Sequence, residues 1–216
     1  MNGPESSTEE RIGAVERFLR SWDRTAMSLL DNIDPANLDE HERVAIERGS
    51  ILGEGANEED VAMLKGTVCD VPVELQYLLR ISDGFLMPIF STRSAVFLGA
   101  RDIALFSERE PEEFRAWESV TNRVGSDEYG PLDSECGVAE VDMPKLSDLG
   151  RAVVLSQLCG GVVLLAYRPE ESRCTSWEYM KLSSHTASRR YGSLLAMLTD
   201  VRDASLASLA DLVAQQ

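Results

Sequence analysis

"AVVLSQLCGGVVLLAYR", residues 152–168, is the stretch on which the fold class turns. Two apolar, β-branched runs, 152–158 and 162–168, flank Cys159-Gly160-Gly161. Tandem glycines accept the positive φ angles of a tight hairpin, so the runs read as antiparallel strands. "PEESR" turns the chain again. "CTSWEYMKL", 174–182, then alternates, placing Thr175, Trp177 and Tyr179 on one face. The spacing predicts an antiparallel meander, with Trp177 mostly buried where the sheet meets helices.

Working outward, both ends of the chain read as helical. From Glu9, Ile12, Val15, Phe18, Leu19, Trp22, Met27 and Leu30 recur at three- and four-residue steps. Asp39 opens a short helix to about Arg48. "GSILGEGAN", 49–57, reads as a flexible linker or turn, and Asn57 caps a helix over "EEDVAMLKG". In "VPVELQYLLRISDGF", 71–85, Pro72 sits in a first helical turn, where its missing N–H costs nothing. Val73, Leu75, Leu78, Leu79 and Ile81 form an apolar face, and Asp83-Gly84 supplies a left-handed residue that ends the helix. "SAVFLG" (94–99) is a short strand. "SEREPEEFRAWESVTNRV" (107–124) is expected as one helix capped by Ser107, with Phe114 and Trp117 on its buried stripe. The tract 123–148 reads as a long connection, and the chain closes with one or two amphipathic helices. The fold class is therefore α+β: an antiparallel sheet of about four to six strands with helices on one side.

The formal net charge is −16 in 216 residues. That balance argues against nucleic acid or anionic membrane as a partner, since both need a basic surface to neutralise phosphate. No apolar run reaches the length of a membrane span, and "MNGPESSTEE" has neither a basic nor an apolar leader region. A cytoplasmic protein is expected. Arginine far outnumbers lysine, the usage of a GC-rich bacterial genome. Cys69, Cys136, Cys159 and Cys174 show no CxxC spacing and there are two histidines, so these read as buried thiols, not zinc ligands.

Nothing in the sequence forms a catalytic signature. "GEGANE" (53–58) lacks the third glycine and the preceding strand of a dinucleotide loop. His41 lies on a charged helix face, where a solvated side chain is expected. His185 sits in "LSSHTAS", read as a strand-to-helix loop, without a nucleophile elbow around Ser183 or Ser184. Glu108, Glu110, Glu112 and Glu113 crowd a helix start, where the dipole favours acids. No catalytic residue, metal or cofactor is expected.

The order of elements resembles the SUKH superfamily, which includes the yeast cell-wall assembly regulator and many bacterial immunity proteins. The resemblance rests on "ANEEDVAMLKG" leading into "VPVELQYLLRISDGF", with Pro72, Asp83 and Gly84 matching a proline-led helix that ends in Asn-Gly or Asp-Gly. "FLGARDIALF" looks like the family's strand and following segment. "GGVVLLAYRPEESRCTSWEY" looks like its two display strands, and "ASRRYGSLLAML" (187–198) like its closing helix. The match spans roughly 56–202. It divides the chain into a helical N-terminal extension, 1–55, and a SUKH-like α+β domain, 56–216.

What the resemblance implies is binding rather than catalysis. Bacterial members resemble immunity proteins that neutralise toxin domains, often basic nucleases, and an acidic inhibitor gains on-rate by steering. The other class of function is an endogenous scaffold or regulatory binding protein with no toxin partner. The expected partner-contacting residues are Glu108, Glu110, Glu112 and Glu113, as steering charges, with Asp127, Glu128 and Tyr129 on the long tract as direct contacts.

Overall fold

The computed structural model describes residues 8–68, 70–89, 93–125, 137–141, 143–169 and 177–215. In chain order these form α1 (Thr8–Leu30), a 3-10 turn (Pro35–Asn37), α2 (Glu40–Arg48), α3 (Glu58–Thr67), α4 (Val73–Ile81), β1 (Phe85–Met87) and β2 (Ala95–Phe97). Then come α5 (Phe106–Arg109), α6 (Pro111–Val124), β3 (Val138–Val141), α7 (Leu146–Leu149), β4 (Val153–Val154), β5 (Val162–Tyr167), β6 (Glu178–Ser183), β7 (Ser188–Tyr191) and α8 (Leu194–Ala214).

The meander forms as its sequence dictates. Gly160 and Gly161 take φ of +55° and +72°, and Cys159 and Val162 exchange both backbone hydrogen bonds, each 2.9 Å. The five-stranded sheet runs β3-β7-β6-β5-β4, every pair antiparallel. A two-stranded sheet, β1-β2, joins it through the segment expected as a strand, 152–158. Leu155 N donates to Leu164 O on one edge (2.8 Å), while Leu98 N donates to Leu155 O (2.8 Å) and Gln157 N to Val96 O (2.9 Å) on the other. Beyond β1, Leu86 N reaches Ile51 O at 2.9 Å. The architecture is α+β.

Helices were expected on one side of the sheet, but both faces are covered. Every residue of β5 is buried, which needs cover above and below. α8 closes one face. Its Asp200 accepts from the Tyr191 hydroxyl (2.9 Å) and pairs with Lys181 (3.3 Å) and Arg189 (2.8 Å). On the other face Leu165, Met180 and Arg190 lie side by side in register and are buried as well. Arg190 is tolerated there because Glu178 neutralises it at 2.7 Å and the Tyr167 hydroxyl accepts from its Nε at 3.1 Å.

The N-terminal helices belong to the same core as the sheet. α1 packs on α4 and α8. Trp22 sets its ring edge-on to Phe18 (5.8 Å) and Phe85 (5.5 Å), and Phe85 stacks on Phe97 at 4.8 Å. Residues from 1–55 and from 56–216 thus share one cluster of buried side chains.

Local signals place most helix ends. Asp39 and Glu42 cap α2 reciprocally, each side chain bonding the other's backbone N–H at 2.9 Å. Asn57 accepts from Asp60 N and caps α3. Pro72 is the N-cap of α4, one position outside the first turn where it was expected. The "GEG" segment proves to be a fixed strap, not a flexible linker. Gly53 N donates to Ser82 Oγ (2.8 Å), Asp83 N to Glu54 O (2.6 Å) and Ala56 N to Leu79 O (2.8 Å). A Cβ at Gly55 would collide with the Arg80 carbonyl oxygen, so glycine is needed for this close approach.

Gly84 has φ +88°, the left-handed residue read from the sequence. Asp83 Oδ1 accepts from Ala100 N at 2.6 Å, tying the end of α4 to the turn after β2. A Cβ on Gly84 would lie 2.9 Å from Phe97 O and 3.2 Å from Gly99 N. Gly84→Val should therefore lower unfolding free energy by about 1–2 kcal/mol. An unchanged urea midpoint would show that this turn is not conformationally constrained.

The helix expected over 107–124 is two helices, because Pro111 disfavours a helical Glu110, which takes φ −124° and ψ 62°. Ser107 therefore lies inside α5 and caps nothing. The tract 123–148 holds β3 and α7. "ASRRYGSLLAML" is not one helix: Ser188–Tyr191 is a strand, and Ser193 then caps α8 by accepting from Ala196 N at 3.1 Å. Trp177 is half-buried rather than mostly buried, at the entry to β6. Its Nε1 donates to Asp70 O (2.8 Å) and Arg168 lies over its ring at 5.2 Å, while Tyr179 takes the buried place two residues on. Cys159 is a half-buried free thiol rather than a buried one, and Cys69, Cys136 and Cys174 lie outside the described residues.

Candidate functional site

The four glutamates expected on one helix start are split between two helices. Glu108 is exposed on α5, and Glu110 is half-buried at the junction. Glu112 and Glu113 occupy the first turn of α6, where the helix dipole favours them. Burial pushes the Glu110 carboxyl above its ordinary range; Arg109 opposes the shift and Glu113 adds to it. Glu113 accepts from Trp117 Nε1 at 3.2 Å. Among the described residues, neither Glu108 nor Glu112 has an ion-pair partner. Asp127, Glu128 and Tyr129 lie outside the described residues.

Glu113 stands at the mouth of a groove of about 430 Å³ between α6 and the turn joining β6 to β7. Ala116, Trp117, Val120, Met143 and Ala187 supply its apolar lining. The turn is braced from within. Ser183 Oγ accepts from the backbone N–H of His185 (3.3 Å) and Thr186 (3.2 Å) and from the Thr186 hydroxyl (2.9 Å). His185 therefore sits in a strand-to-strand hairpin, not a strand-to-helix loop. The hydroxyl of Ser183 is committed to the turn and makes no nucleophile–base pair with it.

A larger cleft of about 570 Å³ opens between α2, the turn after β1 and the end of α8. Its buried carboxylate, Glu42, is occupied structurally. One oxygen accepts from Ser94 Oγ (2.6 Å) and the other from Asp39 N (2.9 Å). His41, one residue before it, is exposed on the charged face as expected.

The strongest charge lies where the sequence reading did not look. Residues 31–60 hold ten acids against two arginines, which accounts for half of the net charge. Asp31, Glu40, Glu47, Glu54 and Glu59 are exposed on this stretch. Asp39 and Glu42 serve as caps, Asp60 is paired with Arg101, and Glu58 is held by Arg80 at 3.1 Å. A running charge count along the sequence marks this stretch, although "EREPEEF" is locally denser in acids. Among the described residues, no group of three or more His, Cys, Asp or Glu is placed to hold a metal ion. In the same residues no helix is long and apolar enough to cross a membrane. No family model, no curated protein and no solved structure matches this chain.

Proposed function

We propose that this chain is a cytoplasmic protein-binding module without catalytic activity, an immunity protein of SUKH type that neutralises a basic toxin domain such as a nuclease. The observation that carries the reading is the acidic surface over residues 31–60, where exposed carboxylates outnumber their local cations. Glu108 and Glu112 add unpaired charge on α5 and α6. A field of one sign attracts a basic partner, raises its encounter rate and repels phosphate-bearing competitors. The resemblance in "VPVELQYLLRISDGF" supports the family assignment.

The test is capture of partners from the source organism on the immobilised full chain at low and high salt. The reading expects a basic domain that elutes as salt rises and whose toxic or nuclease activity stops when the chain is added back. A salt-insensitive partner of neutral or acidic charge would overturn it. So would turnover of a substrate by the purified chain that is lost on changing one residue.

A further inference from the structure

We infer that the groove between α6 and the β6–β7 turn receives an extended basic segment of a protein partner, with one apolar side chain on its floor and a neighbouring lysine or arginine on Glu113. The inference rests on the binding-module reading and names the chemistry of what is bound. A volume of about 430 Å³ is of ligand size, and the floor of Trp117, Val120 and Met143 offers no hydrogen-bond donor beyond the indole already given to Glu113. Apolar contact is what such a floor can give.

Charge decides the occupant. No lysine or arginine lines the groove, and its carboxylate is Glu113. Trp117 Nε1 engages one oxygen of Glu113, leaving further lone pairs able to accept from a cation. Glu110 lies close enough to feel Glu113 as a like charge and is held above its ordinary range by burial first. A partner cation in the groove would neutralise Glu113. A second copy of this chain is disfavoured, because two chains of net charge −16 repel. The far wall is preorganised, since the Ser183 hydroxyl holds residues 183–186 in shape, which lowers the ordering cost of binding.

The probe is an end-blocked nonapeptide of alternating arginine and leucine, titrated into the full chain while backbone amide shifts are followed. Controls are the arginine–serine and glutamate–leucine peptides. The expected shifts fall on residues 113–120 and 183–187. Ala116→Trp, an exposed position on α6 whose new ring would fill the groove, should weaken binding at least tenfold. Glu113→Gln should weaken it several-fold, and the arginine–serine peptide should bind less well than arginine–leucine. Shifts centred on residues 31–60, or indifference to Ala116→Trp, would remove the groove and leave the acidic-surface reading standing. Failure of both basic peptides to bind anywhere would overturn both. Self-association abolished by Ala116→Trp would make the occupant a second copy and overturn the inference.

Discussion

Replacing Trp22 with alanine is expected to lower the unfolding free energy by about 3–5 kcal/mol. Its ring is fully buried and contacts Phe18 and Phe85 edge-on. Through Phe85 it reaches the stacked Phe97 of β2, so one side chain joins the N-terminal helix to the sheet. Truncation leaves a cavity at the meeting point of α1, β1 and β2, and the surrounding core relaxes into it only in part. Trp22 Nε1 has no hydrogen-bond partner among the described residues. Trp22→Phe therefore sacrifices no bond, and should cost well under half as much as alanine. Urea denaturation of the full chain checks both. A single cooperative transition is expected, because the side chains on either side of residue 55 form one core. An alanine loss below about 1 kcal/mol, the range of ordinary surface changes, would show that α1 docks only weakly.

Asp200→Asn is expected to cost about 2–3 kcal/mol, somewhat less than a fully buried ion pair because a quarter of the Asp200 side chain remains exposed. The substitution strands Lys181 on the sheet face under α8, leaves Arg189 only its longer pair with Glu140 (3.5 Å), and weakens the bond from Tyr191. Burial alone would raise the Asp200 pKa, but Lys181, the Tyr191 hydroxyl and Arg189 together hold it below the ordinary carboxylate value. A depressed folded-state pKa means that the unfolded chain takes up the proton first as pH falls. The stabilisation is therefore complete above about pH 4, the unfolded aspartate value, and drains away as pH drops towards the folded one. Wild type should lose stability over that acid range more steeply than Asp200→Asn. Parallel stability curves for the two proteins below pH 4 would contradict this role.

What was legible in the sequence was local. The Gly160-Gly161 turn, the caps at Asp39 and Asn57 and the left-handed Gly84 each follow from the chemistry of one or two residues, and each stands in the structure. The unread strands β1, β3 and β7 are short, and the last two carry charge. In "SRRY" the two arginines hide the strand, because Arg190 is buried with Glu178 and Tyr167 as partners, which arrive from β6 and β5. The acids and apolar stripe of 107–124 read as one helix, but Pro111 disfavours a helical Glu110, so two helices stand there. The acids of the candidate surface were legible as charge and not as placement. Glu113 meets the β6–β7 turn only through tertiary packing, so no spacing rule reveals the groove.

The central claim is that acidic surface draws a basic protein partner to this chain. The association rate constant of the captured partner, measured by stopped flow against salt concentration, tests it most directly. Reversing Glu47 and Glu54 to lysine, both exposed on the acidic stretch, should slow association roughly tenfold at low salt, with the difference vanishing as screening shortens the reach of the field. An association rate that ignores both the reversals and the salt would contradict the account.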